Sequence, residues 1–312
     1  MKIKAVFMGT PEIARDALEA LNDVLDVVLV VTQPDKLVGR KKVLTKSPVK
    51  VLAESLEVPV FQPSKIRVDY DTIININPDI IVTCAYGQIL PKELLDLPKY
   101  GALNIHASLL PKYRGGAPIE RSIMNGDKKT GITLMHMDVG MDTGDMIYQE
   151  EIDIDNLDTK ETLTKKLSIL AQKIIKENLP LYLKGEYPST KQDESVASYA
   201  PIISKEDEYL DFNKSSLEVY NHIRSLSPDP AVYAFLNNKR YKIYEARISS
   251  LKGKPGEILS LDNELVVGTL DASIDILCLQ EAGKNKMTAE DYFRGRNKKE
   301  FIGKRFNEEN NW

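Results

Sequence analysis

Short apolar runs alternate with amphipathic segments through the first half of the chain. The run AVFM, residues 5–8, ends at Gly9, and the residues after it have helical spacing, with Thr10 as the expected N-cap and Pro11 at the first helical position. Similar runs follow as DVVLVVTQ, PVFQP, DIIVTCAYGQIL and GALNIHASLLP, separated by the helical segments SPVKVLAESLEV and DTIININP. Strands that are apolar throughout and alternate with helices predict an α/β fold with a mostly parallel sheet covered on both faces.

The rest of the sequence predicts a second, smaller domain. GAPIERSIMNGD has the pattern of a helix, TGITLMHMD that of a strand, and residues 159–183 that of a long helix. The segment 186–207 is polar and has no sustained period, which is typical of a linker. Beyond it, short alternating runs separated by Gly, Asn and Asp predict a small β-rich domain, consistent with a barrel. We therefore expect domains at residues 1–185 and 208–312.

The composition is that of a soluble protein with room for two domains. The chain has 312 residues, of which 42% are hydrophobic and 28% charged. No apolar run approaches the roughly 18 to 20 residues of a membrane-spanning helix, and the run before Gly9 is too short for a signal peptide, so we expect a cytoplasmic protein. Cys84 and Cys278 belong to no CxxC or Cys/His cluster, which favours reduced core thiols.

The charge is unevenly distributed along the chain. The formal net charge is -4, yet residues 33–50 carry six Lys or Arg against one acidic residue, and residues 284–305 carry eight against three. Each run taken alone is most simply a solvated surface. Two such runs on an acidic chain favour a partner with a phosphate backbone.

Sheets of the predicted kind bind their ligands beyond the carboxyl ends of the strands. The turn after the first strand reads GTPE and lacks GxGxxG, and the P-loop pattern is absent, which disfavours a dinucleotide cofactor. Polar residues at the other strand ends are therefore the candidates for function.

Three polar side chains are the candidates for chemistry. Asn104 and His106 flank Ile105 in LNIHASLLPKYRGGAPI, so both point to one face of a strand, and Asp142 lies in the loop VGMDTGDMI. This set suits an acyl transfer in which an amine attacks directly. The amide and imidazole can donate to an oxyanion, and the carboxylate can orient the imidazole, favour its protonated form and relay a proton. Ser108 lacks the nucleophile-elbow pattern, which disfavours a covalent intermediate.

Each of these residues also has a purely structural interpretation. An asparagine at a strand end is often a turn former, and an aspartate in MDTGD can cap a turn. A single histidine is often a core residue, as we expect for His136 and His222. The residues alone leave these alternatives open.

Several segments resemble the folate-dependent formyltransferases, and among them the methionyl-tRNA formyltransferases. NIHASLLPKYRGGAPI and GITLMHMDVGMDTGDMI are similar to the signature of that family, and FMGTPEIA, VTQPDKLVGRKKVLTKSPVKVLAE, PVFQP and CAYGQILP extend the resemblance over essentially the whole chain. The resemblance implies a Rossmann-like catalytic domain and an OB-like C-terminal barrel that binds tRNA. It also implies transfer of the formyl group of 10-formyltetrahydrofolate to the α-amino group of methionine on initiator tRNA.

The resemblance further implies a role for each residue that matches the family's motifs. Asn104, His106 and Asp142 would be catalytic. The folate site would comprise Gln88, Ile89, Leu90, Ser108, Leu109, Leu110, Pro111, Val139 and Gly140, and the tRNA contacts would be Lys36, Arg40, Lys41, Lys42 and Lys46. We expect no metal, no membrane partner and a monomer.

Two other functions are compatible with the same residues. A sugar-nucleotide N-formyltransferase would share the donor and the three polar groups, and a non-catalytic tRNA-binding module would share the scaffold. The basic run 33–50 favours tRNA as the acceptor, and retention of all three polar groups favours an enzyme. The chain departs from many relatives at LSPDP, residues 226–230, where two aromatic rings of the family are missing.

Overall fold

The apolar runs of the N-terminal half pair with one another in a single sheet. The computed structural model describes residues 3–39, 42–262 and 264–308. The strands of this half are β1 (Lys4–Gly9), β2 (Asp26–Val31), β3 (Lys36–Val38), β4 (Val43–Thr45), β5 (Val60–Phe61), β6 (Ile80–Cys84), β7 (Ala102–His106), β8 (Lys129–His136) and β9 (Met146–Asp153). The helices are α1 (Glu12–Val24), α2 (Pro48–Ser55), α3 (Asp71–Ile76), α4 (Lys92–Asp96), α5 (Pro118–Met124), α6 (Lys160–Glu177) and α7 (Leu179–Leu183).

Seven of these strands form the sheet, in the order β5-β2-β1-β6-β7-β8-β9. Neighbours from β5 to β7 are parallel, whereas β8 pairs antiparallel with β7, and β9 pairs antiparallel with β8. The central strands β1 and β6 are buried along nearly their whole length, as expected for a parallel sheet covered on both faces. The predicted mostly parallel α/β fold is confirmed.

Two helices differ in their bounds from the sequence prediction. Helix α1 begins at Glu12 with Pro11 as its N-cap residue, one position later than expected from Thr10. The helical stretch 159–183 divides into α6 and α7, because Pro180 has no backbone N–H and cannot continue the hydrogen-bond ladder of α6.

The chain forms two compact units, and the predicted linker is divided between them. The first unit comprises residues 1–118, 129–153 and 164–201, and the second comprises 119–128, 154–163 and 202–312. The Arg114 N–H donates to the Ser198 carbonyl at 2.8 Å, and the Ala200 N–H donates to the Arg114 carbonyl at 2.7 Å. A polar segment without a period can still be anchored through its backbone, which a hydropathy pattern does not reveal.

The second unit is built on an antiparallel sheet. Its strands are β10 (Val232–Leu236), β11 (Lys239–Ser249), β12 (Ile258–Ser260), β13 (Leu265–Gly268), β14 (Ser273–Glu281) and β15 (Met287–Thr288), and its further helices are α8 (Ser216–Ser225) and α9 (Ala289–Phe293). The order β10-β11-β14-β13-β12, with β15 paired to β14, makes an antiparallel half-barrel. Helix α8 begins at a capping box of Ser215 and Glu218, and its Val219 and Ile223 join the core of this unit. The predicted β-rich C-terminal fold is confirmed.

In the ranges that the structure describes, no helix is both long and apolar enough to cross a membrane. Cys84 and Cys278 are both free thiols. Burial raises the pKa of the Cys84 thiol to about 12.

An ion pair inside the second unit joins α5 to Asp207. The Arg121 Nη1 and Nη2 atoms donate to Asp207 Oδ1 and Oδ2 at 3.0 and 2.7 Å. The Arg121 guanidinium is the main reason that the pKa of Asp207 is lowered to about 2. Because this folded-state pKa lies below the unfolded value, the pair stabilises the fold above about pH 4, and that contribution is lost as the pH falls to about 2.

Asp207→Asn is therefore expected to lower the free energy of unfolding by about 1–2 kcal/mol near pH 7 and by about half as much near pH 3. Urea unfolding of parent and variant at the two pH values measures the difference. Asp229→Asn changes an exposed carboxylate of the same unit and is the matched control, with an expected change within about 0.5 kcal/mol. An equal loss at both pH values would show that the ion pair is not the source.

Candidate active site

Asn104 and His106 lie at the carboxyl end of β7, and Asp142 lies beside both of them. The Asn104 Nδ2 atom donates to Asp142 Oδ1 at 3.3 Å. The His106 Nδ1 atom lies 3.7 Å from Asp142 Oδ2. The His106 side chain is 6% exposed and that of Asp142 18%, so the carboxylate is the more accessible of the two. The structure thus brings together the three polar groups that the sequence singled out.

The Asn104 amide has a fixed orientation. Thr83 is the register partner of Asn104 on β6, and its hydroxyl donates to Asn104 Oδ1 at 2.9 Å. Because the carboxylate only accepts, the amide nitrogen must face Asp142, and the amide oxygen is left to accept from the Thr83 hydroxyl. An amide nitrogen carries two N–H groups, and the contact with Asp142 uses one of them.

The tautomer of His106 follows from its second ring nitrogen. The His106 Nε2 atom lies 2.9 Å from the carbonyl oxygen of Tyr113. A carbonyl only accepts, so Nε2 carries the hydrogen and the neutral ring has a bare Nδ1. That bare nitrogen is the one nearest the Asp142 carboxylate, at 3.7 Å, which is longer than a hydrogen bond.

Asp142 itself is held by groups from other loops. Its Oδ2 atom accepts from the Gly115 N–H at 2.8 Å, in addition to the Asn104 contact at Oδ1. Its backbone has a φ of 54°, in the left-handed region that non-glycine residues rarely adopt. The side chain of Gln192 donates to the Asp142 carbonyl at 2.8 Å, so the turn is fixed from both the side chain and the backbone.

The segment Ser108–Pro111, expected at the folate site, is a loop packed on β8. The Thr133 hydroxyl donates to the Ser108 carbonyl at 2.6 Å, and Gln149 Nε2 donates to the Leu110 carbonyl at 3.0 Å. Ser108 is fully buried, and its hydroxyl donates to the Lys112 carbonyl at 2.7 Å. Leu110 is buried, while Leu109 and Pro111 are half-buried.

The other expected folate residues lie on two separate loops. Gln88 accepts from the Ile66 N–H at 2.8 Å, and its neighbours differ in exposure, Ile89 being 55% exposed and Leu90 buried. On the second loop Val139 is 74% exposed, and the Gly140 N–H donates to Asp138 Oδ1 at 2.9 Å. The second loop leads directly to Asp142.

Two short strands of the basic run, β3 and β4, pair antiparallel and form what we call the β3–β4 hairpin, which the sequence pattern did not predict because each strand has only three residues. Lys36 and Lys42 are exposed, and no ion pair from the described part of the chain involves either of them. Lys46 differs, since its Nζ lies 2.6 Å from Glu54 Oε2. Arg40 and Lys41 lie outside the described residues.

Several residues that support the site were not anticipated from the sequence. Thr83, Gly115 and Gln192 contact Asn104 or Asp142 from positions far along the chain. Of these three, Thr83 is the one whose position the sequence indicates. It lies at the end of the apolar run DIIVTC, which precedes another predicted strand.

The remaining histidines lie apart from these contacts. His136 packs edge-on against Tyr182, and burial lowers the pKa of its ring. His222 bonds the Asp207 carbonyl through Nε2, and burial lowers the pKa of its ring too. In the described ranges, no group of three or more His, Cys, Asp or Glu side chains is arranged to hold a metal ion.

Comparisons with known proteins match both units. The formyl transferase family matches residues 1–179, and the formyl transferase C-terminal domain matches residues 202–297. A methionyl-tRNA formyltransferase of Macrococcus caseolyticus is 46% identical over 308 residues, which are 98% of this chain and 99% of that protein. The methionyl-tRNA formyltransferase of Bacillus subtilis is 46% identical over 299 residues, 94% of each chain.

A solved structure shows the same fold at lower identity. The N-formyltransferase from Helicobacter canadensis, in complex with folinic acid and dTDP-3-aminofucose, has a TM-score of 0.68 at 22% identity and covers 88% of this chain and 99% of that chain. The family match spans more than half of this chain, and the two more similar relatives align over nearly all of it. The chain therefore belongs to the formyl transferase family, in the group of the methionyl-tRNA formyltransferases.

Proposed function

We propose that this chain transfers the formyl group of 10-formyltetrahydrofolate to the α-amino group of methionine on initiator tRNA. The observation that carries the proposal is the Asp142 carboxylate, which lies against both an amide and an imidazole at the end of β7. In the reaction the amine nitrogen bonds to the formyl carbon, and the bond from that carbon to the folate nitrogen breaks. A proton passes in net from the amine to the folate nitrogen, so no side chain has to be acylated.

Asn104 and His106 would stabilise the negative charge that develops on the formyl oxygen. The Asn104 amide nitrogen has a second N–H beyond the one that contacts Asp142. The His106 ring donates from Nδ1 once that nitrogen is protonated, since Nε2 is engaged by the Tyr113 carbonyl. Donors that are fixed before the reaction stabilise such charge without reorganisation, and each is worth about 10²–10³ in kcat.

Asp142 would accept or relay the proton of the attacking amine. Its carboxylate lies beside His106 Nδ1, so a protonated ring and the carboxylate would form a compact pair of opposite charges. The proton can pass to Asp142 directly, or through His106 and a water molecule, and both schemes use the same two side chains.

The loops around Asp142 have surfaces that suit a folate ring. Ile89 and Val139 expose apolar side chains, at 55% and 74% of their area, on the two loops expected to bind folate. Exposed apolar groups of this kind are typical of ligand sites, where a bound heterocycle covers them. The Helicobacter canadensis N-formyltransferase, solved in complex with folinic acid, has the same fold, which also supports a folate donor.

The β3–β4 hairpin supports tRNA as the acceptor. It exposes Lys36 and Lys42, without ion pairs from the described residues, and the apolar side chains of Leu37 and Leu44. Cations unpaired in this way can contact phosphates, and a nucleotide sugar would need only one local phosphate site. The relatives that match this chain at 46% identity over nearly its whole length are named for a tRNA substrate, which supports the same acceptor.

The direct test is a formylation assay with three acceptors side by side. We expect the purified protein with 10-formyltetrahydrofolate to formylate methionyl initiator tRNA, and to act poorly on methionyl elongator tRNA and on a dTDP-amino sugar. Incorporation of labelled formyl into each acceptor is measured by acid precipitation or chromatography. Activity on the amino sugar alone would assign the chain to the sugar enzymes, and no transfer to any acceptor would favour a tRNA-binding module.

Asn104→Ala is expected to lower kcat by about 100-fold or more, because one donor to the formyl oxygen is lost. Thr83→Val removes only the hydroxyl that orients the amide, so we expect a smaller loss, about 5- to 20-fold. Steady-state rates at saturating folate and tRNA measure both effects. Near-normal turnover of Asn104→Ala would remove Asn104 from the catalytic set.

Lys42→Ala is expected to raise KM for methionyl-tRNA several-fold, while KM for the folate donor stays unchanged. It should also reduce the slope of log(kcat/KM) against log[salt] by about 1, as for one lost phosphate contact. Lys46→Ala is the matched control on the same hairpin, and we expect less effect because Lys46 already pairs with Glu54. Equal loss for both substrates would indicate misfolding instead of a tRNA contact.

A further inference from the structure

Residues 190–200, which we name the strap, contact two turns. One presents Asp142, and the other contains the Tyr113 carbonyl that bonds His106. The strap belongs to the first compact unit, although its composition predicted a linker. At one end, Gln192 Nε2 donates to the carbonyl oxygens of Asp142 and Gly144, both at 2.8 Å. One buried side-chain amide therefore bridges two carbonyls of the turn that presents Asp142.

A buried arginine fixes the orientation of that amide. The Arg114 Nε and Nη2 atoms donate to Gln192 Oε1 at 3.0 and 2.9 Å, and Nη1 and Nη2 donate to Glu194 at 2.9 and 2.7 Å. Arg114 is 1% exposed. Because the guanidinium only donates, Gln192 must present its oxygen to Arg114 and its nitrogen to the Asp142 turn.

The other end of the strap supports the turn that holds His106. The Ser198 hydroxyl oxygen accepts from the Tyr113 N–H at 3.0 Å, and the Ser198 N–H donates to the Pro111 carbonyl at 3.2 Å. Tyr113 has a φ of 61°, and its carbonyl is the one that bonds His106 Nε2. Tyr113 and Asp142 thus both have left-handed backbones, which persist only where the surroundings hold them.

We propose that Gln192 is a positioning residue for formyl transfer, which holds the Asp142 carboxylate against Asn104 and His106 without touching the substrate. The kinetic test of this proposal rests on the proposed function, whereas its test by the histidine ring resonances does not. Residues that orient a catalytic group through its backbone act on turnover more than on binding, because a displacement of about 1 Å can cost about 100-fold in rate.

Two variants of Gln192 separate its donor from its bulk. Gln192→Glu keeps the length and the oxygen that accepts from Arg114, but it places a second acceptor against the carbonyls of Asp142 and Gly144. Gln192→Met keeps the length without donor or charge, and it serves if the first variant fails to fold. Lys191→Ala, at an exposed neighbouring position, is the matched control.

For both Gln192 variants we expect kcat to fall by about 10- to 100-fold, with KM for folate and for methionyl-tRNA within about 3-fold of the parent. The control should keep kcat within about 2-fold. A Gln192 variant with parental kcat would overturn the proposal, as would a loss confined to KM.

The ring resonances of the histidines provide a measurement that a general loss of stability would not change. The chain has three histidines, so the ring resonances of His106, His136 and His222 can be assigned in ¹⁵N- and ¹³C-histidine-labelled protein. We expect Gln192→Glu to shift the His106 ring resonances at fixed pH, because Asp142 moves relative to Nδ1, and to leave the other two in place. Unchanged His106 resonances would overturn the proposal. Since this measurement needs no substrate, it stands even if the acceptor proves to be a sugar nucleotide.

Discussion

The arrangement of the site depends on the contacts of one carboxylate, that of Asp142. Its two oxygens accept from the Asn104 amide and from the Gly115 N–H, and one of them also faces the His106 ring. The backbone that carries it is left-handed, a conformation that costs about 1–3 kcal/mol and needs compensation. Gln192 donates to the backbone carbonyl of that residue, so the carboxylate that meets the two other polar groups is held by a segment without regular secondary structure.

The proposed catalytic groups come from two kinds of structure with different stiffness. Asn104 and His106 lie on a strand inside a buried sheet, where register fixes their spacing and Thr83 fixes the amide. Asp142 lies on a loop, where geometry must be imposed by contacts from elsewhere. Val139, beside it on the same loop, exposes an apolar side chain, and Gln192 of the strap holds the backbone of the turn at Asp142.

Sequence reasoning predicts best what local periodicity determines. The alternation around Ile105 placed Asn104 and His106 on one face, and the apolar runs predicted the parallel sheet. The glycine-flanked loop after a predicted strand made Asp142 a candidate, and the motif resemblance supported it. The position of Thr83 at the end of an apolar run is visible in the sequence, but its pairing with Asn104 and the support from Gln192 are not, because they depend on which distant strands and loops become neighbours. The polar segment 186–207 is anchored through backbone hydrogen bonds and one buried amide, which its composition does not reveal.

The fold leaves fewer cations of the basic run available for binding than the sequence suggests. Of its six cations, Lys46 pairs with Glu54, and Lys50 is engaged by Asp35 and Gln62 with its side chain only 15% exposed. Lys36 and Lys42 are the cations of the described hairpin that remain without an ion pair. The ion pair with Glu54 already occupies the Lys46 ammonium, and the half-buried contacts of Lys50 brace the base of the hairpin. A braced hairpin loses less conformational entropy on binding than a free basic loop of the same charge, so the proposed tRNA contacts of Lys36 and Lys42 would be stronger than counting charges suggests.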